Sequence, residues 1–139
     1  MKKKVTSLVA FACLIGAVVS ASAATNEIKV SSGGIDLDPI IAQNKTIKGV
    51  HRGESLKSQL TLTNDLGAPS YAVDAGGGKF WVDYSTYVWS YYNHPTLIHR
   101  SSATNSNSTV RSDWKDPFAI ADARVPATVS GNKANWDTK

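Results

Sequence analysis

Two histidines, His94 and His99, bracket a turn marked by Pro95. A hairpin there brings two imidazoles within reach of each other, and neutral imidazole is a good zinc ligand. A structural zinc takes four ligands, however, and no motif places a third; Asp83 and Asp113 would have to arrive through the fold. The expectation is no metal and no cofactor, with both histidines hydrogen-bonded locally at a turn and a strand edge. Hydrolytic chemistry is no better supplied. The chain has no G-x-S-x-G elbow, no H-E-x-x-H, no phosphate loop and no closely spaced carboxylate pair in an acid–base setting. A His99–Asp113 dyad has nothing positive behind it, so an enzyme is not expected and no catalytic residue is assigned. Binding is easier to motivate. Arg100, Arg111, Arg124 and Lys133 are cations suited to phosphate, and Tyr87, Trp89 and Tyr91 are flat rings on which a sugar face can pack. These residues are the candidate ligand contacts.

The elements that must position them read as strands. The stretch "YVWSYYNH", Tyr87 to His94, alternates so that Tyr87, Trp89 and Tyr91 share one face while Val88, Ser90, Tyr92 and His94 share the other. One face is expected to build the core and the other to be the first place to look for a ligand. The runs "KFWVDYS", "LIHRSSAT", "TVRSDW" and "ANWD" are similarly strand-like, and "NSNS", Asp116-Pro117 and "GNK" turn the chain between them. Pro126 favours extended structure for "FAIADARVPATV" as well. Short strands at this spacing predict an all-β fold, a small antiparallel β-sandwich of two short sheets over residues 76–139. A domain of this size has little interior and must fill it with large side chains.

The start of the chain has a different character. "MKKK" is followed by an apolar run from Val5 to Val19 and by Ala21-x-Ala23, the layout of a secretory signal peptide over residues 1–23. The run is shorter than the roughly twenty residues that span a bilayer, and no later stretch is apolar enough to do so. The chain is therefore expected to be secreted and, once the signal is removed, not membrane-spanning. The single cysteine, Cys13, lies in the signal, which leaves no disulfide and no thiolate chemistry afterwards. The formal charge of +4 includes Lys2, Lys3 and Lys4, so +1 remains after their removal. That is too little to track a polyphosphate, and nucleic acid is not an expected partner. From Ala24 to Ala75 the only aromatic residue is Tyr71, and all four tryptophans follow the glycines of "AGGGKFW". This break suggests an N-terminal extension or pro-region over residues 24–75, loosely ordered or carrying a hairpin at "SLKSQLTLTNDLG", where Leu56, Ser58, Leu60 and Leu62 alternate with polar residues.

"GGGKFW", "YVWSYYNH", "LIHRSSAT", "VRSDW" and "GNKANWD" occur here in the order and near the spacing seen in the lactococcin 972 family of bacteriocins. Over residues 76–139 the chain resembles that family. The resemblance implies a secreted, unmodified antibacterial protein built as a β-sandwich. It further implies binding of the cell-wall precursor lipid II, a block of septum formation in related Gram-positive bacteria, and an immunity transporter in the producer. The sequence departs from the family in the long stretch between signal and glycine run. The competing expectation is a secreted wall- or glycan-binding module without killing activity. Mass spectrometry of culture supernatant is expected to find a chain starting at Ala24 or Thr25; a fragment starting near Gly77 overturns that reading.

Overall fold

Ala121, Ala123 and Val125 are buried while Asp122, Arg124 and Pro126 between them are exposed, a period of two that makes the segment Ala121–Pro126 a strand with one face inward. The same alternation recurs along Lys133–Thr138, where Ala134, Trp136 and Thr138 point in. A computed structural model of the chain describes residues 31–53 and 66–139. The proposed signal peptide and the Leu56–Leu62 run lie outside the described residues. The elements in order are β1 (Ser32–Asp36), α1 (Asp38–Ala42), β2 (Val50–Arg52), β3 (Val73–Ala75), β4 (Gly78–Tyr84), β5 (Tyr87–Asn93), β6 (His99–Thr104), β7 (Thr109–Arg111), β8 (Ala121–Pro126) and β9 (Lys133–Thr138).

They form the all-β sandwich that the sequence predicts. One sheet, in the order β1-β9-β6-β7, is antiparallel throughout. The other runs β2-β4-β5-β8, with β3 also on β4, and is mixed because β2 pairs parallel to β4. The inner faces meet over Phe80, Val82, Val88, Tyr92, Ala103, Ala123, Val125, Ala134 and Trp136. Small residues dominate the middle, and there two buried hydroxyls stitch the sheets together. Ser90 Oγ on β5 donates to the Asn135 carbonyl on β9 (3.1 Å), and Ser101 Oγ on β6 donates to the Ser90 carbonyl (3.0 Å). At one end the Tyr92 and Trp136 rings stack across the interface, 4.9 Å apart and 22° from parallel.

β5 is buried on both faces. Val88, Ser90 and Tyr92 face the other sheet, whereas Trp89 and Tyr91 join Trp81 in a second cluster on the outside of their own sheet. Ala68 and Ala72, from the segment preceding β3, lie over that second cluster. The glycine run turns out to be a turn within a sheet. Ala75 pairs with Gly78, so Gly76 and Gly77 are a two-residue hairpin loop, and both have the positive φ (55° and 86°) that such a loop favours.

Where the sequence suggests a loosely ordered or hairpin-containing extension, the described residues before Gly76 are built into both sheets. β1 pairs with β9 and β2 with β4, and Leu37 is buried in the shared core. This segment has few large apolar residues of its own; Ile35, Ile40, Ile41 and Val50 are covered because they pack on a core supplied from later in the chain. Polar contacts fix it as well. The Asp38 carboxylate accepts hydrogen bonds from the main-chain N–H groups of Gly131 (2.5 Å) and Asn132 (3.0 Å) and from Asn132 Nδ2 (3.0 Å). Burial pushes the Asp38 carboxyl up, but these hydrogen bonds and nearby Lys133 outweigh it and hold the group below the ordinary carboxylate range.

The β5–β6 turn depends on the two histidines. His94 Nδ1 accepts the N–H groups of Thr96 (3.1 Å) and Leu97 (2.8 Å), which makes Nε2 the donor toward the Gly76 carbonyl at 3.0 Å. His94 therefore serves as a neutral ring, and burial lowers its affinity for a proton below the ordinary value. His99 lies between the carbonyls of Leu97 (2.9 Å) and Ala119 (2.7 Å).

Asp38→Ala is expected to lower stability by about 2 kcal/mol, because it removes charge-assisted hydrogen bonds and strands their donors. A shift in the urea midpoint measures it, and an unchanged midpoint refutes the role of this carboxylate. The pH dependence has two limbs. Because the fold holds His94 neutral, the unfolded chain takes up its proton first, and stability falls as pH drops below about 6.5. The Asp38 contribution is present above about pH 3.8 and is lost as acidification protonates the carboxyl. Denaturant midpoints recorded against pH should show both declines, the first reduced in His94→Asn and the second in Asp38→Ala.

Candidate functional site

The strand register of the β1-β9-β6-β7 sheet arranges its outward side chains in rows. Ser32, Asp137 and Arg100 form one row; Gly34, Asn135, Ser102 and Arg111 form the next; Asp36, Lys133, Thr104 and Thr109 form the third. A groove of about 510 Å³ runs over the first two rows and the Thr104–Thr109 pair. Its lining is almost wholly polar, with hydroxyls from β6 and β7, an amide from β9, two guanidinium groups and one carboxylate.

The charged groups of the groove differ in what they can offer. Arg100 Nε donates to Asp137 Oδ2 at 2.8 Å, and the Arg100 guanidinium lies 4.4 Å from the centre of the Trp114 ring. Lys139 Nζ approaches the same ring at 4.5 Å. Arg100 is thus half-neutralised and held in place by a carboxylate and a ring. Arg111, on the edge strand β7, is exposed, and its side chain has neither an ion pair nor a hydrogen bond among the described residues. Around it the Thr104 and Thr109 hydroxyls hydrogen-bond to each other at 2.9 Å. At the opposite side of the groove Gly34 is required for space, since a side chain there would collide with the Asn135 amide and the Ala134 carbonyl. A free guanidinium flanked by hydroxyl and amide groups suits a ligand that is both anionic and rich in hydroxyls, such as a sugar phosphate.

The structure divides the sequence-predicted contacts into two groups. Arg100, Arg111 and Lys133 share the outward face of one sheet, with the two arginines in the groove itself. Tyr87, Trp89, Tyr91 and Arg124 belong to the other sheet. Trp89 and Tyr91 are buried, Tyr91 stacked on Trp81 at 5.3 Å, and the half-buried Tyr87 ring has the Arg124 guanidinium 5.3 Å from its centre. Residues 66–72 cover this face, and Tyr71 Oη donates to Asp83 Oδ1 at 2.5 Å to fasten the cover. The rings fill a second core here, which the sequence could not reveal because the covering segment brings mostly small side chains, Ala68 and Ala72, with Tyr71 as its one aromatic ring.

The groove contributors that sequence reasoning missed are Ser32, Gly34, Ser102, Thr104, Thr109, Asn135 and Asp137. Part of the signal was there: Arg100-x-Ser102-x-Thr104 and Asn135-x-Asp137 place polar groups at every second residue of their strands. The two histidines stand 6.5 Å apart between ring centres, and main-chain groups engage all four of their ring nitrogens. Among the described residues no helix is long and apolar enough to cross a membrane.

A family model described as Bacteriocin (Lactococcin_972) matches residues 67–136. The matched span begins in the segment over the second cluster and ends at the Trp136 ring, so it takes in β3 to β8 and leaves out β1 and β2. No curated protein and no solved structure matches the chain.

Proposed function

The chain belongs to the lactococcin 972 family of bacteriocins, and on that premise we propose that it is an exported, non-enzymatic antibacterial protein that binds lipid II on the outside of related Gram-positive cells and so blocks wall and septum synthesis. The observation that carries this reading is the groove with an unengaged arginine, Arg111, among sugar-compatible hydroxyls and an amide. Lipid II presents a pyrophosphate joined to amino sugars. In the proposed complex Arg111 takes the pyrophosphate as a bidentate donor, Arg100 adds a second positive field, and Ser102, Thr104, Thr109 and Asn135 meet sugar hydroxyls. No bond is made or broken; the protein acts by occupying the precursor. A producing cell then needs protection from its own product, the role proposed for an immunity transporter.

Purified full-length chain is expected to inhibit the growth of related strains, and added lipid II is expected to protect them. Arg111→Ala should lose about 2 kcal/mol of binding, roughly thirtyfold in potency, with an unchanged thermal unfolding midpoint. Arg124→Ala, across the sandwich, should retain potency. Binding to cells without growth inhibition would favour a wall- or glycan-binding module instead, and indifference to added lipid II would remove the ligand.

A further inference from the structure

β6 and β7 pair in a regular register, with Thr104 opposite Thr109 and Ser102 opposite Arg111. Ser112 continues it: its N–H donates to the Ser101 carbonyl at 2.9 Å, and its Oγ accepts the Ser101 N–H at 3.1 Å. The same register carried one step further sets Asp113 opposite Arg100. Instead, pairing resumes at Lys115, which exchanges both main-chain hydrogen bonds with His99, at 2.7 and 3.0 Å. Between Ser112 and Lys115 the chain therefore has Asp113 and Trp114 where β6 has Arg100 alone, which is a β-bulge. A bulge re-aims a side chain. This one brings the Trp114 ring to Arg100, with the guanidinium carbon 4.4 Å from the ring centre.

The bulge changes the charge around Arg100. In an unbulged strand Asp113 would follow Arg111 by two residues and share its outward face, adding a second carboxylate to the row of Ser32, Asp137 and Arg100. Arg100 would then stand between two acids and have little attraction left for an anion. With the bulge its acidic partner is Asp137, whose Oδ2 takes the Nε–H at 2.8 Å. A guanidinium carries five N–H donors, and the Nη donors of Arg100 have no other partner among the described residues. The ring holds the group by its quadrupole and leaves those donors open. Lys139 Nζ, 4.5 Å from the same ring centre, adds positive charge beside it. We infer that Trp114 is a positioning residue of the groove: set by the bulge, it fixes the Arg100 guanidinium so that the Nη donors grip the anionic part of the ligand together with Arg111. This rests on the groove reading given under Proposed function and deepens it. Trp114 does not itself line the groove and acts through Arg100, which does.

Titration calorimetry of the full chain with inorganic pyrophosphate tests this, together with the NMR signal of the Arg100 Nε–H group in ligand-free protein. Trp114→Leu is expected to weaken pyrophosphate binding about fivefold, and Trp114→Phe, which keeps a ring, by less than about twofold. In an Arg100→Ala background Trp114→Leu should have no further effect, because the ring acts only through that guanidinium. The ring current of Trp114 should displace the Nε–H signal, and Trp114→Leu should return it to the position of an exposed arginine. Trp114→Met provides the same tests if the leucine variant does not fold. A signal that Trp114→Leu leaves unmoved overturns the inference, and so does a loss of affinity of the same size with and without Arg100. Arg111→Ala separates the two readings. Pyrophosphate binding that depends on Arg111 and is indifferent to Trp114 overturns the positioning role and keeps the groove. A native chain that does not bind pyrophosphate removes the groove reading and the role of Trp114 with it.

Discussion

The stack of Tyr92 on Trp136 is the contact on which the rest of the molecule depends. The two rings come from different sheets, β5 and β9, and lie 4.9 Å apart. They set the separation of the sheets at one end, and small residues, with the Ser90 and Ser101 hydroxyls, close the middle to match. Neither ring is free to shift. Tyr92 Oη donates to the Ala75 carbonyl at 2.9 Å, and burial pushes its phenol up to about 12, so it remains a neutral donor. Trp136 is bounded by Gly33 on one side and Gly76 on the other, at distances that leave no room for a Cβ. Packing of this kind gives a small interior its cohesion through large side chains.

A strand buried on both faces is the second constraint. In a two-layer sandwich one face of each sheet ordinarily meets solvent, yet Trp81, Trp89 and Tyr91 are covered on the outside of their own sheet. The cover is made of residues 66–72, held by Tyr71 on Asp83 and by Asn93 Nδ2 donating to the Leu66 carbonyl at 2.8 Å. Asn93 Nδ2 also donates to the Phe118 carbonyl at 3.0 Å, so one buried amide ties the cover to the β7–β8 connection. The large rings thereby contribute hydrophobic area on two faces of one hairpin, which a chain with so small an interior needs.

With the rings committed to packing, the open polar groove lies on the other sheet. Its outward face is built from short polar side chains over backbone, and such a surface can admit a flat, hydroxyl-rich ligand closely. The fixed Arg100–Asp137 pair and the unengaged Arg111 differ in kind: the first is positioned at little remaining entropic cost, and the second is available for a new partner.

The alternation of side chains was legible in the chain itself, and with it the strands, the all-β class and the two faces of β5; periodicity is a local property, so a single segment carries it. The order of the short aromatic motifs pointed to the family for the same reason. Which face of which sheet meets solvent was not local. Trp89 and Tyr91 have the residue types of a sugar platform, and only the path of Leu66–Ala72 over them makes them core. Arg100 and Arg111 look equivalent in sequence, and only the register that brings Asp137 beside one of them sets them apart. Residues 32–52 have too little apolar surface to order themselves, and they are ordered because later strands offer a core and a loop, at Gly131 and Asn132, for Asp38 to grip. Sequence therefore determined what each segment could be; long-range pairing, which closes contacts between residues some ninety positions apart, decided which surfaces were left open to solvent.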